Sequence, residues 1–295
     1  MHRYLRAIGF SSKTRKEIHE LVTDSIRKSD RRGYTLSTDD VMLAEFSRDY
    51  ADSMGITVAG TFDDEDKFHT EYYFPYLTGT GISSYEDISV EKHAAEDSYA
   101  GICDDIRVGI SVIFYLQNRI PYVNAQTAGK LPIKGTSVTF SGLSVKGSVL
   151  IPMFKLPGEE ERITRESAER AKLIAAAKNG DEEAIETLTL EDMDVYSTIS
   201  KRILKEDIYT IVDTSFMPYG VECDQYSVIA DIKGVRKVIN HITEEQVYIL
   251  TLYCNDLTFD IAINIMDLVG EPEVGRRFKG VVWLQGKINF PEDVL

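Results

Sequence analysis

Cysteine is scarce in this chain. Only Cys103, Cys223 and Cys254 occur in 295 residues, an odd number at wide spacing with no C-x-x-C pair. That excludes a zinc ribbon or a thioredoxin-like centre. The three read as small buried or half-buried thiols in a reducing compartment. Histidine is equally thin: His2, His19, His69, His93 and His241 form no H-E-x-x-H and no close pair, so no metal site is expected. Long apolar runs are missing too. The most apolar stretches, Val108 to Leu116 and Val247 to Leu252, fall far short of the roughly 20 residues of a membrane span. Met1 to Phe10 carries Arg3 and Arg6 without the roughly 7 to 15 apolar residues of a signal peptide. The expectation is a cytoplasmic protein with no membrane partner. Phosphate-cradling loops are absent as well. Gly79-Thr80-Gly81 lacks the third glycine of a dinucleotide fingerprint, and neither G-x-x-x-x-G-K-[ST] nor G-x-S-x-G occurs. No cofactor is expected.

What is present is mainly acid, tyrosine and β-forming residues. The net charge is −15, and 16 tyrosines stand against one tryptophan. Tyrosine suits half-buried strands, where the ring packs and the hydroxyl reaches water. The acid is unevenly spread. Ile106 to Gly158 contains no Asp or Glu but holds Arg107, Arg119, Lys130, Lys134, Lys146 and Lys155, a local +6. Met1 to Lys16 is also acid-free, with Arg3, Arg6, Lys13, Arg15 and Lys16. Such patterning most often balances acidic neighbours elsewhere in a fold.

Periodicity predicts an α+β fold: an N-terminal mixed sheet with at least one helix, a central helical segment, and a C-terminal small antiparallel sheet or barrel of about five strands. Arg3 to Ile8 reads as a short strand. Lys13 to Lys28 reads as a helix with Ser12 as N-cap, a stripe of Ile18, Leu21, Val22 and Ile26, and Gly33 as its stop. Val41 to Tyr50 fits either period. Gly55 to Phe62 and Phe68 to Leu77 read as strands around an acidic tip at Asp63 to Asp66, followed by Ile88 to His93 and Val108 to Leu116. Thr136 to Phe140 and Val145 to Met153 read as a hairpin broken at Ser141-Gly142. Glu159 to Lys205 is helical, with breaks at Asn179-Gly180 and a cap at Thr189. Tyr226 to Ile232 and Val235 to His241 read as a hairpin across Lys233-Gly234. Val247 to Cys254, Thr258 to Met266 and Gly280 to Phe290 complete the β pattern. Pro152 to Gly158 marks the expected boundary between an N-terminal α+β domain, 1–157, and a helical segment plus β domain, 158–295.

Several segments carry a resemblance. They are Glu206-Asp207-Ile208, Met217-Pro218-Tyr219-Gly220, Cys254-Asn255-Asp256-Leu257, the run from Gly270 to Gly280, Trp283-Leu284-Gln285-Gly286, and the opening Tyr4 to Phe10. Together they resemble an uncharacterised clostridial bacterial family, the one numbered 3881 among the domains of unknown function. The resemblance covers the whole chain and implies one family architecture. It implies no activity, so no catalytic residues carry over.

The candidate ligand-binding residues are Arg276, Arg277, Lys279, Trp283, Gln285, Asn264 and Asp260. Two adjacent guanidinium groups followed by an aromatic can grip a phosphate or carboxylate. In an extended chain, however, Arg276 and Arg277 point to opposite faces, and a structural arginine pairing with carboxylates is the commoner use. Asp260 and Asn264 share the polar face of one strand, and Asn is depleted in strands. Cys103 stands beside Asp104 and Asp105, and anions there disfavour a thiolate.

The expected function is therefore non-catalytic binding or regulation, with a protein partner or a small anionic ligand, and a homo-oligomer left open. Two alternatives stand beside it: a hydrolase or transferase built from scattered residues, and single-stranded nucleic-acid binding by the C-terminal β region. The 15 basic and 27 acidic residues of Gly158 to Leu295, net −12, weigh against the last.

Overall fold

The computed structural model describes residues 3–92, 98–105, 107–132, 134–152, 159–203 and 208–291. The chain opens on a 3-10 segment, Arg3–Ile8, not a strand. Tyr4, Leu5, Ala7 and Ile8 are all buried there, a pattern that period-two alternation cannot produce. Helix α1, Arg15–Arg27, follows. Its cap is Thr14 rather than Ser12. The Glu17 N–H donates to Thr14 Oγ1 at 3.3 Å, and the Thr14 N–H donates to Glu17 Oε2 at 2.7 Å, a reciprocal capping box. Thr14→Ala is expected to lower stability by about 1 kcal/mol, read as a shift of the urea midpoint. An unchanged midpoint would show that the box contributes nothing.

Next comes an antiparallel meander, β1 (Arg31–Leu36), β2 (Met42–Ala51), β3 (Met54–Phe62) and β4 (Phe68–Leu77), in that order across the sheet. The ambiguous Val41 to Tyr50 segment is a strand because both its edges are paired. Gly33 does not stop α1. It lies inside β1, where the Ile120 side chain sits 3.2 Å from the place of a Cβ. The acidic tip between β3 and β4 is a turn: Asp63 Oδ1 accepts from the Glu65 and Lys67 N–H groups.

Strands β5 (Ile88–Lys92), β6 (Tyr99–Cys103) and β7 (Val112–Leu116) come next, then helix α2 (Arg119–Thr127) and strand β8 (Ser137–Leu150). β6 and α2 lie where no element was expected. The His93 end of the expected strand lies outside the described residues. β8 is one continuous strand, not a hairpin. Gly142 is there for room: a Cβ would stand 2.2 Å from Val282 Cγ1.

Helices α3 (Glu159–Lys178), α4 (Glu182–Ile203) and α5 (Ile208–Ile211) form the central segment. Gly180, at φ 88°, breaks α3 from α4 as expected, and Asp181 Oδ1 accepts from the Ala184 N–H at 3.1 Å. Thr189 is not a cap. It lies within α4 and donates to the Ile185 carbonyl at 2.7 Å. No helix among the described residues is long and apolar enough to cross a membrane.

The last strands are β9 (Ser215–Pro218), β10 (Gln225–Ile239), β11 (Gln246–Cys254), β12 (Leu257–Asn264), β13 (Leu268–Val269) and β14 (Arg277–Asn289). Asn255 and Asp256, at φ 50° and 60°, make the tight two-residue turn between β11 and β12. Lys233-Gly234 makes no hairpin. It is a bulge within β10: the pairing with β14 ends at Asp231, and the pairing with β11 runs through the bulge to Ile239.

β8, β12, β11, β10 and β14 form a closed five-stranded barrel, because β8 pairs with β12 on one edge and β14 on the other. One of its pairs, β8 with β12, is parallel, so the barrel is not purely antiparallel. Its strands come from both sides of the expected boundary, so a division at 157/158 does not part the sheet. Residues 153–158 themselves lie outside the described residues. β7, β6 and β5 extend the sheet from the far end of β14. Phe140, Leu250, Phe259, Ile261, Phe278 and Val282 fill the inside. Outside, Leu143, Val247, Ile249, Ala262 and Trp283 meet the Arg3–Ile8 segment, α1 and the meander in a second core. β12 is thus buried on both faces, not half-buried.

Candidate functional site: a groove between α1 and the edge of β4

The seven residues singled out from the sequence do not converge on one open site. Arg277 is only 2% exposed. Its Nε donates to the Ile151 carbonyl at 3.2 Å, Nη1 to those of Val212 and Asp213 at 2.8 and 3.2 Å, and Nη2 to that of Tyr209 at 2.8 Å. Its partner is the carbonyl end of α5, which carries the partial negative charge of a helix C-terminus. Lys279 Nζ donates to the Tyr209 hydroxyl and lies 4.1 Å from the centre of that ring. Together the two pin the helical segment to the barrel. Arg276 is bound locally, to the Glu271 carbonyl at 3.2 Å and the Glu273 carboxylate at 3.0 Å.

The others are buried and occupied. Asp260 accepts from Thr80 N–H, Thr80 Oγ1 and Thr251 Oγ1 at 2.9, 2.6 and 2.6 Å. Asn264 donates to Glu245 at 2.6 Å and accepts from the Met266 N–H at 3.0 Å. Trp283 Nε1 donates to Asp224 at 2.7 Å, and its ring stacks on Tyr4 at 5.1 Å. Cys103 and Cys254 are buried, and burial pushes their thiols up to about 11 and about 12. Cys223 is exposed, contrary to expectation.

Gln285 has a particular task. Its Nε2 donates to the Pro75 carbonyl at 2.8 Å, and its Oε1 accepts from the Leu77 N–H at 3.4 Å. Gln117 Nε2 donates to the Leu77 carbonyl at 2.9 Å and to Gln285 Oε1 at 2.8 Å. These side-chain amides pair the outer edge of β4 as a neighbouring strand would. Their coverage stops at Pro75. Strand alternation turns the backbone of Tyr73 to the same outer edge, and no strand pairs there among the described residues.

At that open stretch lies a groove of about 540 Å³. Thr70, Glu71, Tyr72, Tyr73 and Phe74 of β4 form its floor. Arg15, Ile18, His19 and Val22 of α1 form one wall, and Tyr115 of β7 closes another. Five consecutive strand residues line it, so both faces and the edge of β4 meet the groove. No ion pair or side-chain hydrogen bond of Arg15 or His19 is found among the described residues. They stand one helical turn apart on one face of α1. The aromatic floor is packed ring on ring: Phe74 and Tyr115 have ring centres 4.7 Å apart, and Tyr115 meets Trp283 at 5.3 Å. Burial holds the phenols of Tyr72 and Tyr115 well above their ordinary value, so both are neutral hydroxyls.

Behind this floor lies a buried ion pair. Arg119 Nε donates to Glu45 Oε1 at 3.0 Å, and its guanidinium sits 5.5 Å from the centre of the Tyr72 ring. Burial pushes the Glu45 carboxyl up, while Arg119 beside it pulls it down. The pair ties β2 to α2 and so fixes β4 relative to Tyr115.

None of the groove residues was chosen from the sequence as a ligand contact. The available signals were the two acid-free stretches, which supply Arg15 on one side and Tyr115 and Arg119 on the other, and the Tyr72-Tyr73-Phe74 run. Among the described residues, no three of His, Cys, Asp and Glu are grouped to hold a metal ion.

A family model described as a domain of unknown function from an E. rectale gene, DUF3881, matches residues 5–286. No curated protein matches, and no solved structure does.

Proposed function

The chain belongs to the DUF3881 family, and from that premise we propose that it is a non-catalytic binding protein whose protein partner enters the groove between α1 and β4 as an extended segment. The observation that carries this reading is the half-covered edge of β4. Gln285 and Gln117 satisfy the edge at Pro75 and Leu77, while the edge at Tyr73 is left to bond an incoming strand. Strand addition of this kind draws affinity from main-chain hydrogen bonds and specificity from pockets for alternate side chains. Ile18, Val22 and Tyr115 supply apolar contact. Arg15 and His19 favour an acidic residue or a terminal carboxylate on the segment. The non-catalytic reading accords with the dispersal of Asp260 and Asn264, buried in β12, from the half-buried Arg276. A cytoplasmic setting accords with three free thiols.

The test is to pan a display library of unstructured peptides on the full chain and measure amide hydrogen exchange with and without a selected peptide. Protection of the Tyr73 amide on binding is expected. Binding that leaves its exchange rate unchanged would defeat the strand-addition reading. A second reading, a small anionic ligand, draws on the groove volume, which lies in the small-ligand range. A carboxylate or phosphate compound that perturbs His19 but protects no β4 amide would favour it.

A further inference from the structure

Helix α4 carries an exposed apolar stripe whose residues do not line the groove. One side of α4 is partly occupied: Ala184 is 4% exposed, and Glu191 and Asp192 take Arg170 of α3 at 3.2 and 2.6 Å, while Val195 on that side is 53% exposed. The other side is apolar and open. Ile185, Met193 and Tyr196 recur at helical spacing, with Leu190 beside them, and are 47%, 65%, 76% and 58% exposed. Glu182 and Glu186 fall on the same arc, and no basic side chain pairs with either among the described residues. From Glu182 to Tyr196 the helix carries six acidic residues and no basic one. An apolar stripe flanked by unpaired carboxylates on a 22-residue helix fits an amphipathic helix whose polar flanks are basic. A second copy of α4 would set carboxylates against carboxylates, which like-charge repulsion disfavours.

We infer that the outer face of α4, centred on Met193 and Tyr196, docks a basic amphipathic helix of a partner protein. The probes are two synthetic peptides of helical Leu/Lys and Leu/Glu pattern, titrated against the full chain by fluorescence anisotropy. The Leu/Lys peptide should bind, more weakly as salt rises, and the Leu/Glu peptide should not. Met193→Lys/Tyr196→Lys should weaken binding about tenfold with the far-ultraviolet circular dichroism unchanged. Asp64→Asn/Glu65→Gln, which makes the same change in net charge at the distant β3–β4 tip, should leave affinity as it was. Equal loss in both variants would mean nonspecific attraction to an acidic protein and would overturn the inference. So would no binding of the Leu/Lys peptide, or a dimer in sedimentation that the Met193→Lys/Tyr196→Lys change dissolves.

Discussion

Arg277→Ala is expected to destabilise the protein by about 3 kcal/mol and to loosen the helical segment from the barrel. The guanidinium donates to four backbone carbonyls, those of Ile151, Tyr209, Val212 and Asp213. Alanine would leave those acceptors without a donor in a buried site, at a cost of about 1–3 kcal/mol for each group that water cannot reach. It would also leave a cavity the size of an arginine side chain. Two measurements check this. The denaturant midpoint should fall, and limited proteolysis within residues 159–203 should speed up more than cleavage in the barrel strands. Arg277→Lys should recover only part of the loss, because an ammonium is a point donor and cannot span a planar array of carbonyls. A wild-type midpoint with an unchanged cleavage pattern would show that the helical segment is held by other contacts.

The second large effect is expected at the buried pair beneath the groove. Glu45→Ala should cost about 3–5 kcal/mol, because it leaves the Arg119 charge buried without its carboxylate. The two replaced together by apolar residues of similar size, Glu45→Leu with Arg119→Met, should come back close to the wild-type stability, since neither desolvated charge then remains. A double-mutant cycle in urea reads the coupling directly. If Glu45→Ala alone costs under about 1 kcal/mol, the pair is screened as a surface pair would be. The same cycle bears on function. Glu45 and Arg119 hold β2 against α2, so the apolar double variant tests whether the proposed groove binding needs the ion pair or only the packing. Peptide affinity retained in the double variant would assign the pair to stability alone.

Much of the β architecture was legible in the residues. β3, β4, β11 and β12 follow from segments rich in Val, Ile, Thr, Tyr and Phe, with alternation in β12, and the Asn255-Asp256 turn follows from residues that tolerate positive φ. The five-stranded barrel was legible as a number of strands, not as their identity. Lys233-Gly234 and Ser141-Gly142 read as hairpin turns and are not. Glycine marks a turn when the chain needs positive φ, but it also marks a place where another side chain needs the room. At Gly142 that claimant is Val282, more than a hundred residues away in sequence.

The candidate site was legible only in fragments. Arg277 was picked as an anion-binding arginine, and it does bind the negative end of a dipole, but that dipole is the carbonyl end of α5 in the same chain. Gln285 was picked as a ligand-binding amide, and it does bind a peptide edge, but that edge is β4. In both cases the hydrogen-bonding capacity of the side chain is taken up within the chain. Propensity, capping and alternation act over a few residues through backbone sterics and local hydrogen bonds, so the sequence by itself determined the strands β3, β4, β11 and β12, the helix α1 with its apolar stripe, the break at Gly180, and the Asn255-Asp256 turn. Which strand closes the barrel, which acceptors surround Arg277, and how far the amides of Gln117 and Gln285 cover the edge of β4 depend on segments distant in the chain arriving at one place. Only the tertiary structure decided those, because the free energy of a buried polar group is set by the partners that surround it and not by its neighbours along the chain.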